Sequence, residues 1–249
     1  MKPLEVIGHC GGLRVYEDKV YRLVESQEEA ATYALVDDLE EQAVLEDILE
    51  DFKPPYPEDV GKYDYLIKAP FRYPPLKHGS RFGTRAEASY FYASEDEQTC
   101  LAESAFYRFV FFDGMQTAYP GKVHSDHQLF SVHAETEKLV DLTEASDANV
   151  IAELTSKTSY AYSQAVGGEA RKAGAEVIRF ISARASEGIN VAIDTPAVIT
   201  STKPENITAV QCETLPNGKI LRFSLPRQFP VTFRIEQFYV DGRLPYPAA

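Results

Sequence analysis

Between Glu25 and Asp51 the chain carries eleven acidic side chains and not one Lys or Arg. Such a run repels itself when compact, so it cannot be core and must lie along a solvated surface. Its apolar residues are spaced for a helix. Leu35 and Leu39, then Leu45, Ile48, Leu49 and Phe52, recur at intervals of three and four. Ser26-Gln27-Glu28-Glu29 has the spacing of a capping box, which predicts a helical start there. Pro54-Pro55-Tyr56-Pro57 predicts its stop. The segment is read as an acidic helical arm with a solvated face, and a docking surface for a basic partner is its second use.

This arm accounts for most of the molecule's charge. Over 249 residues the formal net charge is −13, so the rest of the chain sums to about −2. The low pI of about 4.9 argues against a general nucleic-acid binder, which needs a broad basic face. Directly after the arm the sign reverses. Lys62, Lys68, Arg72, Lys77, Arg81 and Arg85 are opposed only by Asp64, and Pro70, Pro74, Pro75, Gly79 and Gly83 predict a loop. A few guanidinium groups on constrained backbone suit an anion site, and a scattered solvated loop is the alternative.

No apolar stretch reaches the length that spans a bilayer, and Met1-Lys2-Pro3-Leu4-Glu5 lacks the apolar run of a signal peptide. Cys10, Cys100 and Cys212 stand far apart, which fits neither a zinc motif nor a disulfide framework. The expectation is a protein of the reducing cytoplasm, with no membrane contact. His124-Ser125-Asp126-His127 is the nearest approach to a metal cluster, but it is predicted in a loop and lacks a third ligand, so no metal is expected. Gly11-Gly12 and Gly167-Gly168 are isolated pairs, not nucleotide fingerprints.

Downstream, Ala88–Ala93 predicts a short strand. Ser94-Glu95-Asp96-Glu97 predicts a capped helix through Phe109, with Glu103 among apolar neighbours. Strands are predicted around 110–112, 129–133 and 139–142, and helices over 148–154 and 159–173. Further strands follow near 177–181, 189–193, 207–212, 219–223 and 231–240. Helices early and in the middle, with strands dominating the end, predict an α+β fold.

Three residues stand eleven apart: Arg81 on a Gly-bounded loop, Tyr92 on the predicted strand and Glu103 on the following helix. They sit within Pro70-Phe71-Arg72-Tyr73-Pro74-Pro75, Gly79-Ser80-Arg81-Phe82, Tyr90-Phe91-Tyr92-Ala93 and Thr99-Cys100-Leu101-Ala102-Glu103. Ile181-Ser182-Ala183-Arg184 and Gly188-Ile189-Asn190-Val191-Ala192 follow. Over roughly residues 70 to 195 the sequence resembles the RES family. That resemblance implies a fold like the ADP-ribosyltransferases and NAD as substrate, its nicotinamide–ribose bond cleaved by water or phosphate. It also implies a toxin with an Xre-type antitoxin partner. It assigns Arg81, Tyr92 and Glu103 to catalysis, and Arg72, Tyr73, Ser182 and Asn190 to NAD binding. One carboxylate suffices for such a reaction, because nicotinamide leaves as a neutral base and needs no general acid. Two departures are Phe82, where the family often has Trp, and the first 65 residues, which the shortest family members lack. Residues 1–65 are accordingly set apart as an acidic helical extension from an NAD-processing unit at 66–249, all within one compact body. The extension would serve as a family-specific addition, a docking arm or a homodimer contact. Two other functions stay open: mono-ADP-ribosylation of a protein, and a non-catalytic interaction module working through the acidic helix.

Overall fold

The computed structural model describes residues 1–26, 35–57, 60–75 and 77–246. Helices and strands are mixed. Helix α1 is Pro3–His9, β1 Arg14–Glu25, α2 Leu39–Phe52, α3 Tyr65–Arg72, β2 Phe91–Ser94 and α4 Glu97–Asp113. Then come β3 (Val123–Asp141), α5 (Ala148–Leu154), α6 (Ala161–Lys172), β4 (Val177–Ile181) and β5 (Ile189–Ile193). β6 (Glu205–Thr214), β7 (Ile220–Ser224) and β8 (Val231–Arg234) complete the sheet. The α+β class is as expected.

The long strand β3 organises the sheet. One edge carries β1, in antiparallel register from Arg14↔Leu139 to Glu25↔His127. The other edge carries β6 along its first half and β4, in parallel, at Leu139–Asp141. β4 pairs with β5, β5 with β2, and β2 returns to β1 through a single register pair, Tyr21↔Ser94. Five strands therefore close a circuit, while β6, β7 and β8 extend as a meander. The circuit is weakest between β1 and β2, where one pair alone joins the two strands.

Helices cover the sheet in three places. Ile67 and Phe71 of α3 pack with Phe91, Val132 and Val191. Val6, Val150, Leu154, Val166 and Ala170, from α1, α5 and α6, pack with Ile178, Phe180 and Ala192. Leu101, Phe106 and Phe109 of α4 pack with Val210, Leu221 and Phe223. Each Val, Leu, Ile or Phe among them contributes about 1.5–3 kcal/mol through burial.

Several expectations shift. Residues 14–25, assigned to a helical extension, form β1 and are built into the sheet. Val15, Tyr16, Val20, Tyr21 and Val24 supply the β-branched and aromatic content of a strand, and burial of Tyr16 and Val20 fixes its inner face. The capping box at Ser26–Glu29 falls largely outside the described residues. Among the described residues the helical part of the arm is α2, from Leu39, where the Asp38 carboxylate accepts from the amides of Glu40 and Glu41. The segment expected as basic loop contains α3, capped by Asp64, with Pro70 in its last turn. α4 is capped by Asp96 rather than Ser94, through Thr99 N at 2.8 Å, and it swallows the strand expected at 110–112. The strands expected at 129–133 and 139–142 are one strand, and His124 and His127 lie on it, not on a loop. Among the described residues no helix is long and apolar enough to cross a membrane.

Candidate active site

A cavity of about 450 Å³ opens where β1 and β2 diverge. Tyr21, Arg22 and Leu23 line it from β1, Tyr92, Ala93 and Ser94 from β2, and Glu103, Ser104 and Tyr107 from α4. Asn190 of β5 and the Gly79–Arg81 loop also line it, as do Tyr73 with its neighbouring prolines, Tyr160 and Phe180. Glu103 is the one carboxylate among these lining residues.

Glu103 arrives by helix geometry. Seven residues into α4, half-buried, it shares a face with Tyr107 one turn later. Two side chains hold its Oε1: Ser182 Oγ donates at 2.7 Å and Asn190 Nδ2 at 2.6 Å. Neither bond uses Oε2. The donors are themselves fixed. Asn190 Oδ1 accepts from Ser94 Oγ at 2.7 Å, which turns its amide nitrogen toward Glu103. Ser182 Oγ accepts the amides of Arg184 and Ala185 at 3.0 Å each, so its own hydrogen is committed to the carboxylate. Strand register makes this possible, since Ser94 and Phe180 both pair with Asn190.

Tyr92 is committed to the Gly79–Gly83 loop. Its hydroxyl donates to Ser80 Oγ at 2.9 Å and accepts from the Phe82 amide at 3.0 Å. Burial pushes its pKa up to about 12, although the same two partners pull the other way. What it presents to the cavity is its ring. Arg81 is buried, and its guanidinium donates to the carbonyls of Leu154 at 2.8 Å and Ser156 at 3.2 Å while lying over the Tyr160 ring. No carboxylate pairs with it among the described residues, so its charge is not neutralised locally.

Of the residues assigned to NAD binding, Tyr73, Ser182 and Asn190 are at or directly behind the cavity wall. Arg72 is elsewhere. Its Nη1 donates to Glu50 at 2.6 Å, its Nε to the Pro54 carbonyl at 2.5 Å, and it stacks on Tyr56. Those contacts tie α2 to α3 and occupy the charge that an anion would need. Arg184, beside Ser182, lies on the Phe106 ring and donates from Nη2 to the Lys157 carbonyl, while its Nη1 is buried without a hydrogen-bond partner; it is not among the residues lining the cavity.

Arg22 is the residue that motif reasoning missed. On β1, far upstream of the family pattern, it lines the cavity and donates from Nη1 to the Tyr92 carbonyl at 2.6 Å. Its Nε is buried with no partner, and burial lowers its pKa. The guanidinium also lies over the Phe91 ring, and among the described residues no carboxylate pairs with it, so its charge is available to an anionic ligand. A signal for it existed in the sequence: Val20-Tyr21-Arg22-Leu23 puts a lone Arg within a strand-like apolar run.

Among the described residues, no three His, Cys, Asp or Glu side chains converge as metal ligands. His127 instead shares a 2.9 Å hydrogen bond with Ser125.

A family model for the RES domain matches residues 57–214, more than half of the chain. The chain belongs to the RES family. Its matched span takes in Arg81, Tyr92, Glu103, Ser182 and Asn190, whereas β1 and Arg22 lie before it. No curated protein matches the chain. One similar solved structure is the crystal structure of the M. tuberculosis MbcT-MbcA toxin-antitoxin complex, at 11% identity and a TM-score of 0.44. That likeness covers 93% of this chain and 92% of the other.

Proposed function

We propose that this RES protein cleaves the nicotinamide–ribose bond of NAD and passes ADP-ribose to water or phosphate. The observation that carries the reading is Glu103, a single carboxylate braced through one oxygen by Ser182 and Asn190, in a cavity whose two arginines pair with no acid among the described residues. The C1′–N bond breaks with its electron pair leaving on nicotinamide, which departs as a neutral pyridine. Positive charge then grows on C1′ and its ring oxygen. Glu103 Oε2 faces that charge or takes the ribose 2′-hydroxyl, and because the group is already oriented it does not reorganise during the reaction. Arg22 and Arg81 offset the two negative charges of the pyrophosphate. The Tyr92 ring packs beside the nicotinamide ribose, and Tyr73 stands at the rim. The volume lies within the usual range of small-molecule sites.

The acceptor completes the balance. Water adds its oxygen to C1′ and releases one proton, giving free ADP-ribose; phosphate gives ADP-ribose 1″-phosphate. Unrestrained loss of NAD would arrest the cell that makes the enzyme. The reading therefore extends to a toxin held in check by an antitoxin that covers this cavity, Xre-type as in the family.

The test is a product analysis. Tagged NAD is incubated with the protein alone, with phosphate, and with cell extract. Label in ADP-ribose or its phosphate supports the proposal. Label confined to protein would make it a mono-ADP-ribosyltransferase, and unconsumed NAD would reject the reading. Expressed in a host cell, the wild type should stop growth and a Glu103→Gln variant should not.

A further inference from the structure

Helix α6 lies against the Gly79–Gly83 loop more intimately than packing alone requires. The buried Gln164 directs Nε2 at three loop carbonyls: Ser80 at 2.9 Å, His78 at 3.1 Å and Gly83 at 3.4 Å. One turn on, Gly167 touches the loop directly, since a Cβ there would meet the Phe82 carbonyl oxygen at 2.0 Å. The loop is shaped to receive the amide. Gly79 has φ +74, and a Cβ on it would meet Gln164 Nε2 at 2.5 Å. The loop closes on itself through Ser80 N to Gly83 O at 2.8 Å. It also reaches back, as Arg81 donates to Leu154 and Ser156 at the start of the α5–α6 turn. Loop and helix hairpin are interlocked from both sides.

We infer that Gln164, with Gly167, is the positioning device that sets the Ser80–Phe82 loop and, through it, the Tyr92 wall and the Arg81 charge of the cavity. The route is short. Gln164 fixes the backbone around Ser80, while Ser80 Oγ and the Phe82 amide fix the Tyr92 hydroxyl. Three carbonyls converging on one point repel one another unless a donor stands between them, and the amide nitrogen is that donor. Removing it takes this donor from the half-buried Ser80 and His78 carbonyls and leaves the Gly83 carbonyl to Ser80 alone, which favours a displaced loop. Because the loop touches the ligand's anchoring end, its displacement weakens binding more than bond cleavage. Glu103, held by Ser182 just beyond β4 and by Asn190 of β5, takes neither of its donors from the loop.

The inference rests on the reading of the cavity as an NAD site, and its test separates the two. The full chain is made as Gln164→Met, which keeps the length and loses the donor, and as Gly167→Ala. Amide hydrogen exchange over residues 79–83 reports the loop, and nicotinamide release at varied NAD gives KM and kcat. Both variants should exchange faster in the loop, melt a few degrees lower, and raise KM about tenfold with kcat changed less than threefold. Gly167→Ala is the complementary arm: alanine is the better helix former, so α6 keeps its intrinsic propensity while the added Cβ presses on the Phe82 carbonyl, and exchange over α6 is read beside that of the loop. Unchanged loop exchange in both variants would overturn the clamp. Faster exchange with unchanged KM would overturn its bearing on the ligand. A wild type that releases no nicotinamide would reject the NAD reading, while the exchange data still decide the clamp.

Discussion

At the residue scale, the site is defined by which polar groups have partners and which do not. Glu103 has two donors on one oxygen; Arg22 has a carbonyl but, among the described residues, no acid. Burying that guanidinium costs stability in the free protein, so replacing it with an apolar side chain of similar length should be tolerated by the fold. Arg22→Met is expected to hold or raise the melting temperature while raising KM for NAD at least tenfold. A lowered melting temperature with unaltered KM would make Arg22 a structural residue only. Titration gives a second prediction. Burial lowers the pKa of His127, so between its folded value and the unfolded value of about 6.5 the unfolded chain binds the extra proton. Stability from this group is complete above pH 6.5 and is lost as pH falls through the folded value. Denaturant midpoints measured from pH 7 to pH 5 should decline in the wild type and decline less in His127→Gln. Tyr92, raised to about 12, keeps its proton throughout the neutral range. It should therefore contribute no limb to the rate profile between pH 6 and pH 9.

At the scale of elements, α4 and α2 are opposites, though both were legible as helices. α4 buries Leu101, Phe106 and Phe109 against the meander and points Glu103 at the cavity. α2 buries no residue, and its Val44, Ile48 and Phe52 are exposed. Phe106→Ala should therefore cost about 3–5 kcal/mol of stability. The triple change Val44→Ser, Ile48→Ser, Phe52→Ser should leave both the denaturation midpoint and nicotinamide release within error of wild type. A large loss in the triple variant would mean that α2 carries part of the fold. Helix spacing survives in sequence because it is local; the periodicity of Leu45, Ile48, Leu49 and Phe52 needs no partner to be seen. β1 was missed for the opposite reason. Its evidence is a register along β3 more than a hundred residues away, and the acidic residues that follow it drew the whole segment into one helical arm.

At the scale of the molecule, the same distinction separates what the sequence disclosed of the site from what it did not. Arg81, Tyr92 and Glu103 could be grouped because loop, strand and helix follow one another directly. Ser182 and Asn190 were added through family pattern, and their grip on Glu103 became visible only with the β2–β5–β4 pairing. Arg22 was overlooked because the strand-like run Val20-Tyr21-Arg22-Leu23 shows a lone Arg but not that β1 enters the cavity by closing the strand circuit. Arg72 was misplaced because a basic side chain beside a pocket sequence cannot be told from one paired with Glu50 across the α2–α3 joint. Charge follows a parallel lesson: the −13 of the whole chain is dominated by the segment from Glu25 to Asp51, while the cavity carries two cations against one carboxylate.

The central claim is that Glu103 stabilises charge at the ribose during loss of nicotinamide. Nicotinamide release from NAD by the wild type and by Glu103→Gln, at saturating NAD and matched melting temperature, tests it most directly. The account predicts that kcat falls by about 10²–10³ in the variant while NAD binding is kept. Equal release by the two proteins would contradict it.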